Sequence, residues 1–419
     1  MTNEKLDQTS RASGAQESAI NPKTGRPAGK LQGTLLLIGS CLPVLGAVLL
    51  APILPILSEE FADSPGAAAL VPLILTIPAL MIAILAPFAG AIVDKAGRKR
   101  VLIWSLLAYG ILGTMPLWLD TLPTIVLSRV GVGVTEAFIM TCCTTLIADY
   151  FSGNKRNRYL GLQALVTALA ATVFFAIGGA LGAAGWRTPF WLYSVSIVVA
   201  MLMLFAIWPV RQEADGAEKT VARLEPIAWR SLFLPCGVTL FGGVVFYTLI
   251  VELPYVLDEL GTTETAVIGI ATALASLATA IGAFLFRWIA VRGVSVLLPL
   301  AFLLAGVGIL IVGFAPTVPL AVIGAVISGF GTGILLPTLV TWAITRLSYE
   351  QRGRGTGLWT SALFFGQFVT PLAVLAFTAA LGGLGFALAV IGVLSLLAAG
   401  LMRVVLVRNP QPELVVANA

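Results

Sequence analysis

Residues 90–100 read Gly-Ala-Ile-Val-Asp-Lys-Ala-Gly-Arg-Lys-Arg, a knot of charge wedged between apolar runs at about 67–93 and 100–119. Such runs exceed the ~18 apolar residues at which a stretch reads as a membrane-crossing helix. A short charged turn between two spanning helices is the repeating unit of a polytopic membrane protein, and the rest of the composition agrees with that reading. The chain is 58% hydrophobic and only 11% charged, with a mean hydropathy of +0.98. A soluble chain carries about a quarter charged residues. Neither a soluble nor a disordered chain could keep this much apolar surface from water. The runs are continuous rather than alternating, which excludes a membrane β-barrel.

Working outward from this turn, apolar runs fall at about 31–57, 67–93, 100–119, 122–148, 159–183 and 188–209, and again at 231–257, 265–290, 294–314, 317–345, 356–381 and 384–406. The expected fold is therefore all-α and polytopic, with twelve transmembrane helices in two six-helix halves, 31–210 and 231–406. Residues 211–230 read as a cytoplasmic linker. Residues 1–30 are polar and lack the apolar core of a signal peptide, so they read as a disordered cytoplasmic tail, as do residues 407–419. Orientation follows the basic residues. With both termini inside, Arg187 is the one basic residue in an outward loop and Arg129 the one within a helix, whereas Glu59, Glu60, Asp63, Asp120, Asp258, Glu259 and Glu264 lie outside.

The halves also echo each other. Arg156, Arg158, Gly161 and Leu162 recur in register as Arg352, Arg354, Gly357 and Leu358, and upstream Gly133 recurs as Gly329. That is the signature of parallel internal repeats, pseudo-symmetric about an axis along the membrane normal.

Histidine is absent, so any proton relay must use carboxylates. The four cysteines, Cys41, Cys142, Cys143 and Cys236, all lie in apolar runs with neither a zinc spacing nor a disulfide framework. No cofactor, metal or nucleic acid is implied, and the net charge of +5 reads as a topology signal.

Within the fourth run, Arg129 and Glu136 lie two turns apart, so both point to one face about 10 Å apart along the axis, with Gly133 between them. Charges at membrane depth cost at least about 2.5 kcal/mol each and face the bundle interior or a wet cavity. The two are either a structural ion pair, a pair of separately solvated groups, or a proton or substrate site. Glu136 is the one carboxylate near mid-membrane. Glu252, followed by Pro254 near the outer end of the seventh run, is either an interfacial acid or a cavity wall residue attracting cations. Gln367 and Pro371 in the eleventh run are expected to shape the cavity.

The pattern Gly90-x-x-x-Asp94-Lys95-x-Gly97-Arg98-Lys99 closely resembles the loop between helices 2 and 3 of the major facilitator superfamily, and the likeness extends over residues 31–406. The resemblance implies that this loop latches the halves together on the cytoplasmic side in the outward-open state. Asp94 would face the start of helix 11, at Gly353, Gly355 and Gly357, where the helix dipole suits a carboxylate, and Asp149 would hold Arg98. Gly90, Asp94, Gly97, Arg98, Asp149 and Gly357 thus form an expected conformational gate. The equivalent loop of the second half, 282–293, keeps Arg287 and Arg292 but has no acid.

Arg129-x-x-x-Gly133 resembles the helix 4 signature of proton-coupled members, although Val132 replaces the usual polar residue. Helix 5 has Gly178-Gly179 and Gly185-Trp186-Arg187 of the antiporter pattern but Phe174-Phe175 in place of its Gly-Pro. Residues 357–368 resemble bacterial drug and sugar exporters. The resemblance implies rocker-switch transport of a small organic solute by a monomer in the bacterial inner membrane, among lipids, with the proton gradient as energy source and export as its direction. The alternatives are a symporter or facilitator importing a solute and, more remotely, a non-transporting membrane sensor. No catalytic cluster suggests an enzyme.

Overall fold

The computed structural model describes residues 18–22, 25–210, 229–347 and 351–408. Among these, twelve helices are long and apolar enough to cross a membrane. They are α1 (Lys30–Glu60), α2 (Ala67–Ala96), α3 (Arg98–Leu117), α4 (Leu122–Tyr150), α5 (Gly153–Gly182) and α6 (Thr188–Ala206), then α7 (Trp229–Glu259), α8 (Thr265–Ile289), α9 (Val294–Gly313), α10 (Val318–Ile344), α11 (Arg352–Leu381) and α12 (Leu384–Arg408).

Helices prevail because a chain in lipid must satisfy its backbone groups internally. Their ends are set by turn chemistry. Gly97, at φ +90°, separates α2 from α3, and Gly293, at φ +75°, separates α8 from α9. Both backbone angles fall where side chains other than glycine are strained. Prolines sit inside several helices, including Pro72, Pro78 and Pro87 of α2. In α1 the helix tightens to a 3₁₀ turn at Ala51–Ile53, around Pro52.

Two cores form, one from α1–α6 and one from α7–α12, with Tyr247 and Val251 of α7 and Ala273 of α8 crossing into the first. Glycines bring backbones together, Gly179 of α5 against Gly269 of α8 between the halves and Gly243 of α7 against Gly366 of α11 within the second half. Large apolar side chains such as Phe205 and Phe233 stay exposed on the outside of the bundle. Lipid would cover such residues.

One end of the bundle carries the basic turns, with Arg98, Lys99, Arg100, Lys155, Arg156, Arg287 and Arg292. The opposite end carries Glu59, Asp63, Asp120, Asp258 and Glu259, with Arg187 donating to Asp120 at 2.8 Å. The N-terminal stretch departs from the disorder expected of it. From residue 18 it forms a small hook with an Ile20–Pro27 bridge, and the Ala19 N–H donates to the Tyr150 carbonyl at 3.0 Å. The carbonyls of a helix's last turn lack intrahelical partners, and here the hook supplies one. Helix α7 begins at Trp229, inside the expected linker. Residues 1–17, 211–228 and 409–419, which hold the rest of the expected tails and linker, lie outside the described residues.

Candidate functional site

A cavity of about 540 Å³ lies between the two halves, walled by α1, α2, α4 and α5 on one side and α7, α8, α10 and α11 on the other. It reaches toward the basic end, where Leu160 and Gln163 of the first turns of α5 line it. At the acidic end the halves are sealed. Leu50, Ile53, Leu54 and Leu57 of α1 are wholly buried. Tyr255 shares a 3.1 Å hydrogen bond with Ser58, and the Tyr247 hydroxyl donates to the Ala47 carbonyl at 2.6 Å. Pro52 and Pro55 interrupt regular α1 geometry in this sealed region, so the seam is built from side-chain packing and a few cross-half bonds.

Of the four residues expected in the cavity, two line it: Glu136 and Gln367. Glu136 is 1% exposed. Its Oε1 has no hydrogen-bond partner among the described residues and abuts Gly46 of α1, where a side chain would collide with it. A glycine at position 46 is thus what lets a carboxylate lie between α4 and α1.

Arg129 does not reach the cavity, and it forms no ion pair with Glu136. Its Nη2 donates to the carbonyls of Leu112 at 3.2 Å and Gly113 at 2.9 Å, at the end of α3. Its guanidinium carbon sits 5.2 Å from the Phe190 ring and 4.9 Å from the Tyr193 ring. The two charges share a face of α4, as their spacing requires, but that face meets α3 and α6 near Arg129 and α1 near Glu136. Gly133 between them packs on the backbone of Pro78 in α2.

Glu252 is the other correction. It is 5% exposed but does not line the cavity. It shares a helical face with Val245 and Val256, which belong to the core of the second half. The helical spacing placed Glu252 on a face of α7; it could not say that this face turns into its own half.

The expected gate residues come together in part. Arg98 donates from Nε to Asp94 Oδ1 at 3.0 Å and from Nη2 to the same oxygen at 2.7 Å, and from Nη1 to Asp149. Both partners belong to the first half. The Lys99 ammonium donates to the Leu204 carbonyl at 2.8 Å, tying α3 to the end of α6. Gly97 makes the turn. The start of α11 meets α2 at Ala86 and Pro87, where a Cβ on Gly357 would lie 3.2 Å from the Pro87 Cα, two turns before Asp94. Gly90 has open space around it, so no steric need for glycine is visible there.

The sequence reading passed over Gln163, whose Nε2 donates to Ser40 at 2.8 Å and Thr144 at 3.1 Å, joining α5 to α1 and α4. A single amide inside an apolar run was the available signal.

A family model described as Major Facilitator Superfamily matches residues 36–245 and 235–418. Among curated proteins, the chain is 29% identical over 188 residues to the tetracycline resistance protein, class H, of Pasteurella multocida, spanning 44% of this chain and 47% of that protein. It is 29% identical over 178 residues to the quinolone resistance protein NorB of Staphylococcus aureus, spanning 41% of this chain and 37% of that protein. The matches therefore span about half or less of these relatives. Among solved structures, the fold matches a bacterial homologue of the human lysosomal transporter Spinster in an inward-facing, unoccupied conformation, with a TM-score of 0.69 at 18% identity over 90% of this chain and 96% of that one. It also matches a D-xylose–proton symporter, with a TM-score of 0.75 at 14% identity over 88% of this chain and 96% of that one. Twelve spanning helices, two packed halves and a cavity between them agree with the family match over nearly the whole chain: this protein belongs to the Major Facilitator Superfamily.

Proposed function

We propose that this chain is a secondary active transporter that exports a small organic solute by alternating access, driven by inward movement of protons across a bacterial inner membrane. The observation that carries the proposal is Glu136, a buried carboxylate with an unpartnered oxygen on the wall of the cavity between the halves. A carboxylate in that place can give up its proton to one side and take it from the other as access alternates. Each charge moved across the membrane is worth about 2.3 kcal/mol per 100 mV. The tetracycline and quinolone resistance relatives support export.

With the basic end cytoplasmic, the cavity faces inward and the acidic end is closed. Among the described residues, Arg98 then engages only Asp94 and Asp149 of its own half, as expected of a gate whose cross-half latch is released. Arg129, held by α3 carbonyls, is a positioning group for α4 whose positive field acts on Glu136 through the helix.

A second reading, proton-coupled import, is favoured by one observation. Phe175, which stands where antiporters carry a Gly-Pro, is 2% exposed, and its carbonyl packs against Gly269 of α8.

Reconstituted vesicles under imposed pH gradients of both signs separate the two, with tetracycline and a fluoroquinolone as first solutes. Export predicts solute accumulation in everted vesicles with an acidic lumen, lost in Glu136→Gln while the variant still elutes and melts as wild type. Unchanged pH-driven transport in Glu136→Gln would remove the proton role from this residue.

A further inference from the structure

We infer that Tyr109 is the positioning residue that carries the charge state of Glu136 to α1. Its hydroxyl hydrogen goes to the Leu42 carbonyl while Glu136 is neutral and to the Glu136 carboxylate once the proton has left. The inference rests on reading Glu136 as the proton site and goes further by naming the group that turns its protonation into movement of a helix.

The first observation is a shared space. Tyr109 of α3 is wholly buried, and its hydroxyl donates to the Leu42 carbonyl of α1 at 2.6 Å. One turn further along α1, a β-carbon on Gly46 would lie 1.9 Å from Glu136 Oε1 and 3.2 Å from the Tyr109 hydroxyl. The carboxylate oxygen and the phenol oxygen therefore meet in one small gap, opened by the missing side chain at position 46. Oε1 has no hydrogen-bond partner among the described residues, so the two oxygens are neighbours without being bonded.

The second observation is how many hydrogens this gap holds. A phenol has one to give. With that hydrogen on Leu42, the Tyr109 oxygen can only accept from its other neighbour. A neutral Glu136 carries a hydrogen it can supply. An ionised Glu136 carries none and meets lone pairs, unless the phenol turns its hydrogen away from Leu42. A hydrogen bond to an ionised acceptor is roughly twice as strong as one between neutral groups, so the carboxylate wins the hydrogen and the Leu42 carbonyl loses it.

The other titratable groups that face Glu136 are Tyr193 of α6, Tyr247 of α7 and Arg129 on its own helix. The Tyr193 hydroxyl and Arg129 Nη1 have no partner among the described residues, so neither ties Glu136 to α1. Tyr247 does reach α1, at the Ala47 carbonyl, but from the opposite half. Tyr109 is the one of the four that joins α1 to its own half.

The third observation is where the bond lands. Leu42 precedes Pro43, which lies inside α1 and, having no N–H, leaves the Gly39 carbonyl without its helical bond. Helices bend at such places. Tyr109 thus pins α1 to α3 beside its weak turn. Beyond that turn α1 carries Leu50, Ile53, Leu54 and Leu57 into the seal at the acidic end. The pinned arrangement belongs to the closed acidic end, and release of Leu42 loosens α1 where the seal is positioned.

The test is the distance between spin labels on encoded non-natural residues at positions 60 and 259 of the full chain. Glu60 and Glu259 are exposed and lie just beyond the Ser58–Tyr255 bond that crosses the seal. The distance is read by pulsed electron resonance from acid to alkaline pH, with no solute and no gradient. The wild type is expected to favour a short distance in acid and a longer one in alkali. Tyr109→Phe, which keeps the ring and loses the hydrogen, should cut that shift by about half or more while melting as wild type. Glu136→Gln, whose amide donates as the neutral acid does, should hold the short distance at every pH. Tyr247→Phe should lengthen the distance at every pH and keep the shift.

A wild-type distance indifferent to pH, a full shift in folded Tyr109→Phe, or a shift lost in Tyr247→Phe and kept in Tyr109→Phe would each overturn the inference. Should Tyr109→Phe fail to fold, Gly46→Ala tests the same contact from α1 by driving Oε1 off the hydroxyl, and a full shift there would overturn it as well. Because solute and gradient are left out, a failure here leaves proton-coupled export standing with another route to α1. Absence of pH-driven transport in vesicles with the distance response intact would strike the export reading instead.

Discussion

The two loops that join the second and third helix of each half make the same turn with opposite chemistry. In the first half, Gly97 at φ +90° lets α2 stop and α3 start, and Arg98 beside it is held by Asp94 and Asp149. In the second half, Gly293 at φ +75° does the same for α8 and α9, but among the described residues Arg287 pairs with no acid. It lies over two rings of its own helix, 4.2 Å from the Phe284 centroid and 3.8 Å from that of Trp288. Turn geometry is thus common property of the repeat, whereas charge pairing belongs to one half. A charge network can be remade with a new partner when the halves rock. An arginine stacked on its own helix moves as a unit with it.

The largest effect should come from breaking the first network. Arg98→Ala leaves Asp149, whose side chain is 13% exposed, without its partner. Hydrogen bonds to charged groups contribute about 1.5–3 kcal/mol, so melting of the purified protein should fall by a loss of that order and pH-driven transport should drop about tenfold or more. The two acids should not weigh equally. Asp149→Asn should approach the Arg98→Ala loss. Asp94→Asn, whose side chain is 56% exposed, should cost about 0.2–1 kcal/mol, as exposed pairs do, and should fade in high salt. Equal losses would mean that the network acts through Asp94, contrary to the burial.

The shared turn is tested next. Gly97→Ala and Gly293→Ala each force a β-carbon onto a backbone that favours glycine, at about 1–3 kcal/mol, and should lower the melting temperature by similar amounts. Gly90→Ala, with open space around it, is the control and should be neutral or mildly stabilising. A transport defect without a stability defect in Gly90→Ala would show that the residue needs its smallness in a second conformation.

These loops were readable in the sequence because charge is rare in a chain built for lipid. Asp94, Arg98 and Asp149 stood out against apolar runs, and the pairing of Asp149 with Arg98 came through family resemblance. The twelve spans were readable for the same reason, since a helix needs only a long enough apolar window. Arg129 was readable as facing the bundle interior and Glu252 as lying near the outer end of its helix, but neither as to where it turns. A helix inside a bundle has neighbours on every side, and periodicity fixes an angle about its own axis, not the partner found at that angle. The N-terminal hook was missed because its order comes from the end of α4, through the Tyr150 carbonyl, and not from its own polar composition.

The smallest effect should come from the second half. Arg287→Ala removes a cation stacked on Phe284 and Trp288, rings that are 43% and 53% exposed. Cation–π contacts at exposed sites contribute about 0.5–1 kcal/mol, so melting should change by no more than that, and transport by less than about twofold. Arg287→Lys should recover most of the stability, because an ammonium can sit over the same rings. If Arg287→Ala instead lowered transport as far as is expected of Arg98→Ala, the arginine would have to meet an acid in another conformation. The asymmetry between the loops would then be a property of one state and not of the fold.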